Sequence, residues 1–256
     1  MLRSLKSILG QPISARDGDI GNIHDFFFED DSWIVRYLVV DTGRWLPGRK
    51  VLLSPQVLQS IVSQSGPAQV DLTREQIETS PDIDTDKPVS RQHELELHRH
   101  FTWAPYWAAG AQMINPVTMP PSTRADRVVG DTKTTGDSHL HSARHVHGYR
   151  ITARDGSIGH VDDLIAGAPD WTIRYIVVDT RNWLPGKRVL IAPEWSVGLF
   201  DWRAHSLTID LMREQIKGGP EFEPTKGVNR QYESRLFDYY GRPAYWTHEE
   251  EAMTRR

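Results

Sequence analysis

ISARDGDIGNIHDFFFEDDSWIVRYLVVDTGRWLPGRKVLLSP, residues Ile13–Pro55, returns as ITARDGSIGHVDDLIAGAPDWTIRYIVVDTRNWLPGKRVLIAP at Ile151–Pro193. The two stretches align without a gap over 43 positions at an offset of 138, and 22 positions are identical. Self-similarity of this kind marks a duplicated structural unit, and two copies are too few for a solenoid. Downstream, DLTREQI (Asp71–Ile77) matches DLMREQI (Asp210–Ile216), and SRQHE (Ser90–Glu94) matches NRQYE (Asn229–Glu233). The aromatic pair Tyr106-Trp107 lies over Tyr245-Trp246. The pattern predicts one repeat with its tail at residues 1–107 and a second at 148–256. Between them, 108–147 is rich in Gly, Pro, Ser and Thr without apolar periodicity, and reads as a flexible linker.

Within each copy the dominant period is two. WIVRYLVVD (Trp33–Asp41) and WTIRYIVVD (Trp171–Asp179) are β-branched and aromatic, hence strands, buried on both faces at their Val-Val ends. Their alternation predicts burial of Trp33, Tyr37, Val39, Trp171, Tyr175 and Val177. RDGDIG and RDGSIG place Asp-Gly between apolar stretches, a short-range hairpin signal, because glycine accepts the positive φ of a tight turn. Leu-Pro-Gly turns lead into RKVLLSP and KRVLIAP, a further strand, and WSVGLFDW and SLTIDL flank Arg203–His205 as another hairpin. Several short strands joined by tight turns point to a mainly β fold: two tandem small β-barrels, each followed by a helical tail. Ser90 and Asn229 suit N-caps. His93/Leu97/His100/Phe101 and Tyr232/Leu236/Tyr239/Tyr240 then share one helical face each. The tails are expected to pack on the barrels, burying Leu97, Leu236, Trp107 and Trp246 and joining the repeats into one pseudo-twofold body.

Composition narrows the function classes. Among 256 residues there is no cysteine, which excludes disulfides, thiolate zinc sites, iron–sulfur clusters and cysteine nucleophiles. A net charge of −4 argues against nucleic acid, whose binding rests mainly on phosphate neutralisation. The charge-free window Ala104–Thr123 holds four prolines and will not span a bilayer as a helix. The opening MLRSLKSILGQ has no long apolar core or small-residue cleavage site, so no signal peptide is read and a cytoplasmic location is expected.

The hairpin D-G-x-x-G-x-V-x-D, as Asp17–Asp25 with Ile23 at the Val position and as Asp155–Asp163, resembles that of the PRC-barrel family. The apolar strand, short turn and VLLSP/VLIAP strand follow at the family's spacing. The family includes the cytoplasmic domain of the photosynthetic reaction-centre H subunit and the C-terminal domain of a ribosome maturation factor. The tails look like those of its bacterial stand-alone proteins. The resemblance implies two tandem PRC-like barrels and, for function, a non-enzymatic protein-interaction or adaptor module. Two alternatives stay open: a reaction-centre H-subunit-like role at an electron-transport complex, with peripheral membrane association, and an RNA- or ribosome-associated maturation factor.

The chemistry-bearing residues have bland readings to beat. Asp17, Asp19 and Asn22 lack the ligand spacing of a calcium loop and read as a turn. His93, His98 and His100 stand where the other copy has Tyr232, Phe237 and Tyr239, which implies packing rather than metal ligation. His139, His141, His145 and His147 make a cluster with no carboxylate shell, read as solvated linker. Asp41-Thr42 and Asp179-Thr180 read as turn formers. No nucleophile elbow or phosphate loop is present, so no enzyme, catalytic residue, metal or cofactor is assigned. The partner-binding candidate is the turn GRWLPGRK/RNWLPGKR: Arg44, Trp45, Arg49 and Lys50, paired with Arg181, Trp183, Lys187 and Arg188. A tryptophan flanked by cations suits a partner peptide.

Overall fold

The computed structural model describes residues 2–60, 66–82, 89–107, 139–180, 187–198 and 200–246. The first repeat contributes β1 (Leu2–Ser4), α1 (Leu5–Ile8), β2 (Pro12–Ala15), β3 (Gly18–Glu29), β4 (Val35–Asp41), β5 (Lys50–Leu53), β6 (Leu58–Ser60), β7 (Ala68–Val70), α2 (Arg74–Glu78) and α3 (Arg91–His100). Then follow β8 (Leu140–Ser142), α4 (Ala143–Val146), β9 (Arg150–Ala153), β10 (Gly156–Gly167), β11 (Ile173–Asp179), β12 (Arg188–Ile191), β13 (Ser206–Thr208), α5 (Arg213–Gly218) and α6 (Arg230–Tyr240). The protein is mainly β, with two sheets among the described residues.

One sheet runs β12-β11-β10-β9-β13 and the other β5-β4-β3-β2-β7-β6. The two orders repeat each other over five strands, each with a parallel strand beside the first hairpin strand, β13 on β9 and β7 on β2, and β6 extends the second sheet. Hydrogen-bond pairing among the described residues leaves both sheets open.

Contacts group the chain into two compact units, and these do not follow the repeats. The first holds Met1–Leu9, Asp25–Arg36 and His141–Arg256; the second holds Gly10–His24 and Tyr37–Leu140. In the first unit β1 lies antiparallel on β10, Leu2 opposite Gly167 and Ser4 opposite Ile165. The counterpart of β1 in the second repeat, β8, pairs with β3. Residues 140–146, assigned from sequence to the linker, are therefore a strand and a helical turn; Leu140 and Val146 are buried, and the Ser142 side chain caps α4. Most of the expected linker, 108–138, lies outside the described residues.

Two further reciprocal pairs hold the first unit. Trp33 and Trp171 both have positive φ, 56° and 57°, an uncommon conformation for a bulky residue. The Trp33 carbonyl accepts from the Ile173 N–H at 2.7 Å, and the Trp171 carbonyl from the Val35 N–H at 3.0 Å. Trp33 packs against Phe28 and Phe200, and Trp171 against Phe26. All six residues expected in the core from strand alternation are buried, none above 8% exposure.

The hairpin differs in detail from its sequence reading. Ala15 pairs with Gly18, so Arg16-Asp17 rather than Asp-Gly fills the turn. The Asp17 carboxylate is needed elsewhere: it accepts the Arg74 N–H at the start of α2 at 2.8 Å, as Asp155 accepts that of Arg213 at the start of α5. The second glycine of the motif has a stricter role. A Cβ at Gly21 would collide with the Asp41 carbonyl oxygen, and one at Gly159 with that of Asp179. Both glycines have positive φ beside a register shift between the hairpin strands.

Candidate functional site

The turn after β4 is built by its own polar groups. Asp41 Oδ1 accepts the Gly43 N–H at 2.9 Å, and the buried Thr42 hydroxyl reaches the carbonyls of Leu46 and Arg49, each at 2.7 Å. Trp45 is half-buried, and the Arg74 guanidinium lies 4.5 Å from its ring centroid, a cation–π contact. Arg44 is exposed beside it. Arg49 turns away and donates to the carbonyls of Glu78 and Ser80 at the end of α2. Lys50 opens β5, opposite Asp41 in the ladder.

In the second copy Thr180 repeats the bond of Thr42, to the Lys187 carbonyl at 2.7 Å. Lys187 Nζ donates to the carbonyls of Lys217 and Gly219, at 2.5 and 2.8 Å, at the end of α5. Burial pushes the Lys187 ammonium below the usual lysine range, opposed by the charge of Glu221. Arg188 pairs with Asp162 at 2.9 Å. Arg181 and Trp183 lie outside the described residues. Of the candidate residues, Arg44 and Trp45 stand together on the turn, while Arg49 and Lys187 serve helix C-termini. The sequence reading missed Arg74, whose signal was the Arg shared by TREQI and MREQI.

Sequence reasoning also missed the polar groups under the tails. Glu94 is fully buried and accepts from the hydroxyls of Tyr37 and Tyr106 at 3.0 and 2.7 Å. His139 Nε2 stands 2.7 Å and Arg91 3.0 Å from its other oxygen. Burial alone would raise this carboxyl, but His139, then Tyr106 and Arg91, hold it below the ordinary range. The Tyr37 hydroxyl also meets His98 Nε2 at 2.8 Å. Burial and then the Glu94 charge push the Tyr37 phenol far above the ordinary tyrosine value. In the second copy Glu233 accepts from Tyr175 and Tyr245, both at 2.8 Å, and burial followed by Glu233 raises Tyr245 to about 12. Carboxylates on an apolar face carry no hydropathy signal, so the α3 face was drawn at His93, His100 and Phe101 where Glu94 and His98 go inside, while in α6 Tyr232 and Tyr240 are buried as expected beside the unforeseen Glu233. Leu97 and Leu236 are buried as expected; Trp107 and Trp246 are half-buried under Arg91 and Arg230, and Tyr239 is exposed.

A cavity of about 270 Å³ opens beside α1 and α4, lined by Leu5, Lys6, Phe26, Arg144, Asp162 and Asp163 among others. Asp163 accepts from the Ser4 hydroxyl and the Lys6 N–H; Asp25 accepts from the Ser142 hydroxyl at 2.5 Å and the Arg144 N–H at 3.1 Å. These are the last aspartates of the two hairpin motifs, and burial pushes both up against the opposing serine bonds. The four imidazoles read as solvated linker without carboxylates are instead engaged by the fold, and they diverge: His139 to Glu94, His141 to Asp30 and the Trp202 ring, His145 to Tyr149, and His147 toward Asp162.

No protein-family model matches the chain, and no curated protein matches it. Among the described residues no helix is long and apolar enough to cross a membrane.

Proposed function

We propose that the chain is a non-enzymatic adaptor, a tandem pair of PRC-like barrels that binds another protein through the turn at Arg44 and Trp45. The observation that carries this reading is the seating of Trp45. Trp45 is half-buried, backed by Arg74, and its turn is tied down by Asp41 and Thr42. An aromatic anchor held rigid before binding loses little side-chain freedom on association, which favours affinity. The PRC-like reading is supported by the shared hairpin motif and by the same strand order in both copies. The acids of the motif and the tails support a structural rather than a reactive role, since each is engaged by the fold: the exposed Asp17 and Asp155 at helix starts, Asp25 and Asp163 at the terminal turns, and the buried Glu94 and Glu233 under the tails.

The test is affinity purification of the full chain beside a Trp45→Ala, Arg44→Ala variant of unchanged melting temperature. A protein partner retained by the parent and lost by the variant supports the reading. Identical retained proteins overturn the assignment of this turn, and a partner released by ribonuclease moves the protein to the RNA-associated class.

A further inference from the structure

The two copies differ sharply at one place that the adaptor reading leaves unused. Beside the second hairpin an open cleft of about 560 Å³ is lined by Arg150, Ser157, Gly159, His160, His205 and Arg213 among others, and no aspartate or glutamate lines it. Strand register makes the row. Arg150 on β9 is the Cα partner of His160 on β10 on one side and of Ser206 on β13 on the other. Directly paired residues of neighbouring strands project to the same face, about 5 Å apart, so Arg150 and His160 stand side by side. His205 is tied to the row by its carbonyl, which accepts the Arg150 N–H at 2.9 Å, and by its ring, stacked on Tyr149 at 4.7 Å. Its φ of +49° is uncommon for a residue with a side chain.

The corresponding positions in the first copy are Pro12, Asp19, Gly21, Asn22, Gly66 and Arg74. The same register is kept there, with Pro12 opposite Asn22. One cation therefore stands where the second copy gathers two arginines and two histidines, and an aspartate replaces Ser157. The nearby acids of the second copy have other work. Asp155 accepts the Arg213 N–H, Asp210 pairs with Arg154 and Arg242, and Asp179, opposite His160 in the ladder, is buried with an interaction of its own.

We infer that this cleft is a binding site for a tetrahedral oxyanion, free phosphate or the phosphate of a monoester, held by Arg150, His160, His205 and Arg213. An arginine fork beside imidazole donors and a serine hydroxyl matches the several acceptor oxygens of such a group. The inference is independent of the Trp45 turn.

The test titrates the full chain with sulfate, whose charge is constant across neutral pH, at fixed ionic strength, following backbone amide shifts. Saturable shifts at Arg150, His160 and His205 are expected, weakened about tenfold in Arg150→Gln, the loss of one charge-assisted bond. His160→Asn, which restores the residue of the first copy, weakens binding in the same direction. Arg203→Gln, on the neighbouring exposed turn, leaves it unchanged. Shifts that rise without saturation, or equal affinities for parent and Arg150→Gln at equal melting temperature, overturn the site. Parallel titrations with inorganic phosphate and O-phosphoserine separate the sources: tighter binding of phosphoserine assigns the site to a monoester, and equal or weaker binding assigns it to the free anion.

Discussion

The tail helices α3 and α6 occupy matching places in the two repeats and solve the same packing problem with different chemistry. Each is capped by a side chain that accepts from the third helical N–H, Ser90 to His93 and Asn229 to Tyr232. Each buries a glutamate against a strand tyrosine of its own repeat, Glu94 against Tyr37 and Glu233 against Tyr175. Four residues further on they diverge. In α3 His98 bonds to Tyr37 and edges against Trp103 and Trp107; in α6 Phe237 packs on Tyr175, Trp195 and Trp246 without a polar bond. The difference teaches that the helix face is specified by shape and the Tyr–Glu bond, while the neighbouring site tolerates either an imidazole or a phenyl ring. Only the imidazole brings a proton with it.

The largest expected effect breaks the apolar version. Phe237→Ala removes a ring that is 2% exposed among four aromatic neighbours, and should cost about 3–5 kcal/mol by chemical denaturation. A cost below that range would show that the tail relaxes into the gap.

A feature the copies share comes next. Gly21→Ala and Gly159→Ala each drive a methyl into a backbone carbonyl at positive φ, and should destabilise by roughly 2–3 kcal/mol apiece. Equal losses in both copies mark the glycine as a property of the motif; a loss in one copy alone would break the equivalence of the hairpins.

Arg49→Ala and Lys187→Ala should each cost about 1 kcal/mol, because each frees helix-end carbonyls near solvent. Thermal unfolding of the two variants tests whether they act alike despite the change from guanidinium to ammonium.

The smallest effect concerns pH and separates the tails. Burial lowers the His98 imidazole from its ordinary 6.5, opposed by Glu94. The unfolded chain then holds more protons than the folded one just below pH 6.5, so α3 loses stability as pH falls through that value. Glu94, held low by His139, Tyr106 and Arg91 against its burial, adds a loss below its ordinary 4.5, where the unfolded carboxyl takes up its proton first. Amide exchange should show α3 losing protection between neutral pH and pH 5, and His98→Phe, the choice of the second copy, should remove that loss. Persistence of the loss in His98→Phe would assign it to another group.

The sequence by itself determined the duplication, the main strands of each repeat though not β1 or β8, the buried alternation at Trp33–Val39 and Trp171–Val177, both tail helices and their caps. These rest on local periodicity and on side chains that bond within a few residues, which a linear pattern records. At the candidate site it marked the exposed Arg44 and the half-buried Trp45, because a repeated tryptophan in a Leu-Pro-Gly turn stands out in one dimension. Only the tertiary structure decided what those residues meet. Arg74 backs Trp45 from a helix that follows the sheet strands, Arg49 spends its charge on α2, and His160 stands beside Arg150 through strand pairing. It also decided that β1 belongs on β10, with Ser4 bonded to Asp163 across 159 residues of chain, and that Glu94 goes inside. Both outcomes depend on which polar group finds a partner when water is excluded. A carboxylate is written as a surface residue in any hydropathy pattern until the fold supplies the tyrosine hydroxyl, serine or backbone N–H that replaces its water.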